Sequence, residues 1–202
     1  MSQLMTIAGN SGSGKTTLAE HLCQRTGWVP YWEQPTLRPF QRDFSEDPAR
    51  WGLANQVDFF LFRAGQEREI RTGAHVGVMD GGLDQDYHVF TQLFHQAGKL
   101  GDREYEICRR MYGLLREVLP PPDVIVRGVA SEELLLARRE ARGRSSDELI
   151  VPSEELAVVE ALLEGWLGNT DVPVLTFGAE SAQASVERLI SQIREKLGAL
   201  QC

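Results

Sequence analysis

Eight consecutive residues constrain this chain more than any others. Gly9-Asn10-Ser11-Gly12-Ser13-Gly14-Lys15-Thr16 has the spacing G-x-x-x-x-G-K-T, between a short apolar run at 4–8 and an amphipathic stretch that begins at 14. Strand, glycine turn and helix form the context in which that spacing carries a mechanism. The glycines let the backbone curl until several N–H groups converge, and the following helix adds the positive end of its dipole. A chain of phosphates fits such a cradle. Gly9, Asn10, Ser11, Gly12, Ser13, Gly14, Lys15, Thr16 and Thr17 are therefore the expected triphosphate contacts, with Lys15 reaching the terminal phosphates and the Thr16 hydroxyl placed on Mg²⁺. ATP or GTP with Mg²⁺ is the implied cofactor.

The rest of the chain alternates in the same way. Apolar runs at 4–8, 28–32, 76–79, 124–126 and 172–177 read as strands. Helical periodicity covers 14–25, 48–71, 85–96, 102–118, 131–141, 153–167 and 181–197. Asp47-Pro48 supplies a cap and a first-turn proline, and Pro120-Pro121-Pro122 closes a helix. This order predicts an α/β fold, a five-stranded parallel sheet with helices on both faces, built as one domain over 1–202.

A formal charge of −8 disfavours a nonspecific grip on nucleic acid or on an anionic membrane, so anionic ligands must meet local cations. No apolar run approaches the ~20 residues of a membrane span, and a cytoplasmic protein is expected. Cys23, Cys108 and Cys202 lack metal-ligand spacing and are assigned no chemistry.

Three further features bear on the reaction. Asp80 ends a strand, where an acid can stand near the metal. Glu33 follows the second strand, at the sheet edge where ligands collect, and is placed to accept a proton from a hydroxyl. Arg138 and Arg142 lie four apart on one helical face, with Arg144 just beyond, and together can close over phosphates.

With these parts in order the chain resembles the deoxyribonucleoside kinases along nearly its whole length. The most specific stretch runs from WEQPTLRPFQRDFSEDPARW into GLANQVDFFLFRAGQ, followed by DGGLDQDYHVF. The resemblance implies a P-loop kinase fold with an arginine-rich lid at about 138–148, and Glu33 as the base that activates the nucleoside 5′-hydroxyl. It also implies base recognition by Gln56, Arg63 and Asp86, and Glu148, or Asp147 in a shifted register, against the sugar. Phe60 and its neighbour Phe59 offer apolar surface for a base. A purine deoxynucleoside is the expected acceptor, ATP the donor, and a homodimer the expected assembly. A kinase for a nucleoside monophosphate or another alcohol, and a nucleotide-binding protein with little catalysis, are the rival readings.

The chain also departs from that family. Arginine and serine usually follow the acid after strand three, whereas Gly81 and Gly82 stand here. Arg127, Arg138 and Arg139 are the candidates to supply the missing cation, and an arginine restored at 81 is expected to raise the rate if the family geometry is kept. A family tyrosine near the sugar falls at Ser45, and the proline after the glutamate is displaced to Pro35.

Overall fold

The computed structural model describes residues 2–34, 37–141, 155–178 and 183–199. β1 (Gln3–Gly9) is buried at all seven positions, as a strand covered on both faces must be. It pairs in parallel with β3 (Val76–Asp80) on one side and β4 (Val124–Val129) on the other. β2 (Val29–Tyr31) and β5 (Val174–Gly178) extend the two edges, giving the order β2-β3-β1-β4-β5. From β1 the chain passes to the β2 edge, returns through β3 and then crosses to the β4 side, so the winding reverses beside β1. Open α/β sheets bind ligands beyond the carboxyl ends of their strands at such a reversal. The glycine loop leaves β1 at that point.

Alternation along the strands splits the core into two layers. Val124 and Val126 join Met5 and Ile7 beneath α1 (Lys15–Thr26) and α9 (Gln183–Ala199), where Leu18, Leu22, Leu189 and Ile193 meet them. Ile125 and Ala8 face the opposite layer, with Phe60 from α3 (Pro48–Thr72) and Leu163 from α8 (Leu156–Leu167). α3 starts as its sequence predicts: the Asp47 side chain accepts from the Arg50 N–H at 3.2 Å, and Pro48 occupies the first turn.

Some boundaries differ from expectation. α2 (Gln41–Glu46) is an unforeseen helix of six residues, too short to show a period, anchored by buried Phe44. β2 keeps three of its five expected residues because it pairs only with β3, at the sheet edge. β4 runs on to Val129 because it is paired on both sides, Gly128 with Gly9 and Val129 with Gly178. The helix expected at 85–96 starts earlier and changes pitch: α4 (Leu83–Gln85), a π-helical segment Asp86–Thr91, then α5 (Gln92–Gln96). α6 (Asp102–Val118) and α7 (Glu132–Ala141) lie where their periodicity places them. Residues 142–154, with most of the expected lid, and Cys202 lie outside the described residues.

An ion cluster ties α6 to this frame. Arg116 donates from Nη1 and Nη2 to the Glu67 carboxylate at 2.7 and 3.0 Å, and from Nε to Asp84 Oδ1 at 2.7 Å. Glu67 is 1 % exposed. Burial pushes its carboxyl above the usual range, and the Arg116 hydrogen bonds oppose that. Removing one member of a buried pair strands the other charge, at about 3–5 kcal/mol. Arg116→Leu is expected to lower the urea unfolding free energy by that amount, with Glu67→Leu added to it recovering part. A loss below about 1 kcal/mol, the range of exposed pairs, would show that the cluster carries no such strain.

Candidate active site

The glycine loop is held from three directions before any ligand arrives. Asn10 Nδ2 donates to Leu156 O at 2.9 Å, and Asn10 Oδ1 accepts the Ser11 N–H at 2.9 Å, fixing the loop to the start of α8. Arg138 Nη1 donates to Gly12 O at 3.1 Å, so α7 lays a guanidinium against the loop. Gln85 brackets Gly9: its Oε1 accepts the Gly9 N–H and its Nε2 donates to Gly9 O, both at 3.1 Å. Gly9 itself, at φ 156, has no room for a side chain, since a Cβ there would stand 2.7 Å from Gly128 O and from Ser13 Oγ. Lys15 Nζ lies 3.1 Å from Gly9 O and from Asn10 O, inside the curve of the loop. The amides, Lys15 and Arg138 thus concentrate positive charge in an acidic protein.

Beside Lys15, the Thr16 hydroxyl donates to Asp80 Oδ2 at 2.6 Å. Asp80 is 4 % exposed, and its other oxygen, Oδ1, is buried without a hydrogen-bond partner among the described residues. A hydroxyl and an unpaired carboxylate oxygen at the loop mouth are hard oxygen donors of the kind Mg²⁺ takes together with phosphate oxygens. Thr16 and Asp80 therefore fit that ion.

Three of the expected acceptor residues, Glu33, Gln56 and Asp86, line a second, narrow cleft together with Asn55, Phe59, Phe90 and Phe94. Arg63 is its organising charge, with a side chain only 1 % exposed. Its Nε faces Asp86 Oδ2 at 3.3 Å, its Nη1 faces Gln66 Oε1 at 3.3 Å, and its Nη2 lies 3.9 Å from Glu33 Oε1. Burial works against the guanidinium charge, but Asp86, Glu33 and Asp80 outweigh it and raise the Arg63 pKa. Burial pushes the Asp86 carboxyl up to about 7, with Arg63 opposing. Glu33 remains 28 % exposed and faces the cleft.

The structure revises several expectations. Phe60 has no exposed surface and packs in the core, so Phe59, one residue earlier, is the phenylalanine of α3 that lines the cleft. Arg127 is committed to Glu160 and Glu164 on α8, at 2.5 and 3.3 Å, and supplies no cation to the cleft. Ser45 donates to Arg42 O within the short helix α2 and does not line the cleft. Arg142, Arg144, Asp147, Glu148 and Pro35 fall outside the described residues, as does the side chain of Arg139.

Position 81 is the largest revision. Gly81 has φ 76, and a Cβ there would meet Arg63 Nη2 at 2.8 Å. The guanidinium of Arg63 therefore occupies space beside the backbone that any side chain at 81 would need. The expected gain from an arginine at 81 presumed a free site, and the site is filled.

Gln85 and Asn55 were not singled out from the sequence. A glutamine one residue before Asp86 has no motif, and only the fold brings it to Gly9, 76 positions away. Asn55 lies beside Gln56 at helical spacing with a buried face, a placement that periodicity alone could have flagged.

A glycine loop after a central parallel strand, with Lys15, Thr16 and a strand-ending Asp80, defines a P-loop nucleotide-binding site. A model of the deoxynucleoside kinase family matches residues 5–197, and the chain belongs to that family. It is 26 % identical over 198 residues to the deoxyadenosine/deoxycytidine kinase of Bacillus subtilis, covering 94 % of this chain and 91 % of that one. It is 27 % identical over 201 residues to the deoxyguanosine kinase of the same organism, covering 94 % and 95 %. The deoxyadenosine kinase of Dictyostelium discoideum is 30 % identical over 142 residues, which are 70 % of this chain and 58 % of that protein. The fold is that of the M. mycoides deoxyadenosine kinase solved with bound dATP, at a TM-score of 0.80 and 18 % identity over 95 % of this chain and 99 % of that one. Among the described residues no helix is long and apolar enough to cross a membrane.

Two outcomes follow from the loop and its neighbours. Gly81→Arg is expected to lower both the thermal midpoint and kcat/KM, because it forces a side chain into a left-handed backbone at about 1–2 kcal/mol and into Arg63. A faster enzyme would show that the position accepts a cation. Gln85→Leu removes the acceptor of the buried Gly9 N–H, at about 1–3 kcal/mol, and leaves Gly9 O to Lys15 alone. It is expected to raise the KM for the nucleotide donor about tenfold, equivalent to about 1.4 kcal/mol. An unchanged donor KM would show that the loop needs no such brace.

Proposed function

We propose that this kinase transfers the γ-phosphoryl group of ATP to the 5′-hydroxyl of a deoxyribonucleoside, with a purine as the preferred base. The observation that carries the reading is the placement of Glu33. It is a part-exposed carboxylate at the wall of a cleft whose inner end holds the buried Arg63–Asp86 pair. Gln85 ties the phosphate loop to the helix that carries Asp86, so donor and acceptor sites share one support. The names of the relatives, deoxyadenosine and deoxyguanosine kinases among them, support a purine.

In this reading the nucleoside enters with its base between Phe59 and Phe90 and its 5′-hydroxyl beside Glu33, which takes the hydroxyl proton as the oxygen attacks phosphorus. The loop amides and Lys15 hold the triphosphate in line, and Arg138 offsets charge on the transferring group. Thr16 and Asp80 would hold Mg²⁺, which when bound neutralises the phosphate oxygens. Phosphoryl transfer asks mainly for positioning and electrostatics, and these residues supply both. A homodimer is part of the same reading: α6 turns Ile107, Leu114 and Val118 to solvent, 46, 62 and 74 % exposed, spaced along one face.

Single-turnover transfer from γ-labelled ATP to a panel of deoxynucleosides tests the assignment, and ATP binding without labelled product would overturn it. Glu33→Gln keeps the side-chain shape but removes the proton acceptor. Turnover is expected to fall about 10²–10⁴-fold, with ATP affinity unchanged within about twofold. Undiminished turnover would exclude Glu33 as the base.

A further inference from the structure

Asn55 stands on α3 next to Gln56, is 1 % exposed, and lines the acceptor cleft. Its Oδ1 is buried without a hydrogen-bond partner among the described residues. A buried amide oxygen in that condition destabilises the ligand-free protein, and an apolar side chain of similar size would remove the cost. An N–H or O–H brought into the cleft beside it would complete the group.

The polar neighbours indicate what that something is. Gln56 Nε2 donates to Asp86 O at 2.8 Å and to Thr91 Oγ1 at 2.9 Å. Asp86 O can only accept, so turning the Gln56 amide over would set two oxygens against each other. The donor end of Gln56 is therefore engaged inside the protein. Arg63 is likewise engaged, by Asp86, Gln66 and Glu33. An oxygen-bearing edge of a base finds these donors already taken, whereas a hydrogen-bearing edge meets Asn55 Oδ1 and the carboxylate of Asp86.

We propose that Asn55 is a specificity-determining residue whose Oδ1 accepts a hydrogen bond from the exocyclic amino group of the nucleobase. The amino group lies beside a ring nitrogen at C6 of adenine and at C4 of cytosine, and the Asn55 amide presents a donor next to its acceptor, the pairing that amides make with adenine. Keto bases place an oxygen where the amino group belongs. The inference rests on the reading that the cleft takes a deoxynucleoside, and it adds the chemical feature by which that nucleoside is chosen.

Matched pairs of substrates test it: deoxyadenosine against deoxyinosine, and deoxycytidine against deoxyuridine, each differing chiefly in amino against keto. The wild-type kcat/KM is expected to favour the amino member by about 10–100-fold, and the pair with the larger kcat/KM identifies purine or pyrimidine as the source of the amino group. Asn55→Leu is expected to bring that ratio within about threefold of unity through the nucleoside KM, with the ATP KM unchanged. Its ligand-free thermal midpoint should be equal or higher, because the unpaired oxygen is gone. Asn55→Asp keeps the acceptor and should keep the preference. A ratio unmoved by Asn55→Leu, or a wild type that prefers the keto member of both pairs, overturns the role of Asn55 and leaves the kinase reading intact. A wild type that takes only deoxyguanosine or thymidine overturns the role of Asn55 alone, and one that phosphorylates no deoxynucleoside overturns the underlying reading, and this inference with it.

Discussion

The acceptor half of the molecule is arranged around one buried cation. A guanidinium with almost no exposed surface is tolerable only if anions and acceptors surround it, and Arg63 draws its partners from separate parts of the chain. Glu33 comes from the end of β2, Gln66 from one turn further along α3, and Asp86 from the π-helical segment. Gly81, just past β3, contributes by having no side chain. Arg63 and Asp86 are both buried, so losing either would strand the charge of the other, and these helix segments are held in register by electrostatic need. A surface salt bridge holds its partners far more weakly.

Two adjacent residues join this half to the nucleotide loop. Gln85 grips both polar atoms of the Gly9 peptide, and Asp86 grips Arg63. They stand at the junction of α4 with the π-helical segment, where the backbone changes pitch. π-helical turns recur at functional sites because they re-aim side chains that an α-helix would send elsewhere. Here the carbonyl of Asp86 is reached by both the Thr91 hydroxyl and Gln56.

Much of this was readable beforehand, and the divide has physical causes. The loop from Gly9 to Thr17 was legible because its chemistry is local: strand, turn and helix follow one another in the chain. The parallel sheet was legible because buried strands are apolar throughout. Glu33, Gln56, Arg63 and Asp86 were named through resemblance, and the fold does gather them at one cleft. Gln85 escaped because its partners lie 76 positions away, and an amide carries no signature of what it will bond. Phe59 and Phe60 are equivalent in the sequence, because adjacent apolar residues of a buried helix look alike and only the packed layers decide which one reaches the cleft. At position 81 the sequence shows only a missing side chain, whereas the fold shows that Arg63, 18 positions away, occupies the space a side chain there would need.

The change of pitch between Asp86 and Thr91 lets this helix carry one residue more than a regular helix of the same winding. A π-helical turn holds about one residue more than an α-helical turn, so removing a single residue there would regularise the ladder and leave the two flanking halves nearly in phase. Leu83 and Gln85 would keep their alignment with Leu93 and Phe94, whereas the side chains within the wide turn, Asp86 and Thr91 among them, would be re-aimed although every amino acid remained chemically suitable. A graft of this helix into another scaffold would have to carry its irregular stretch intact.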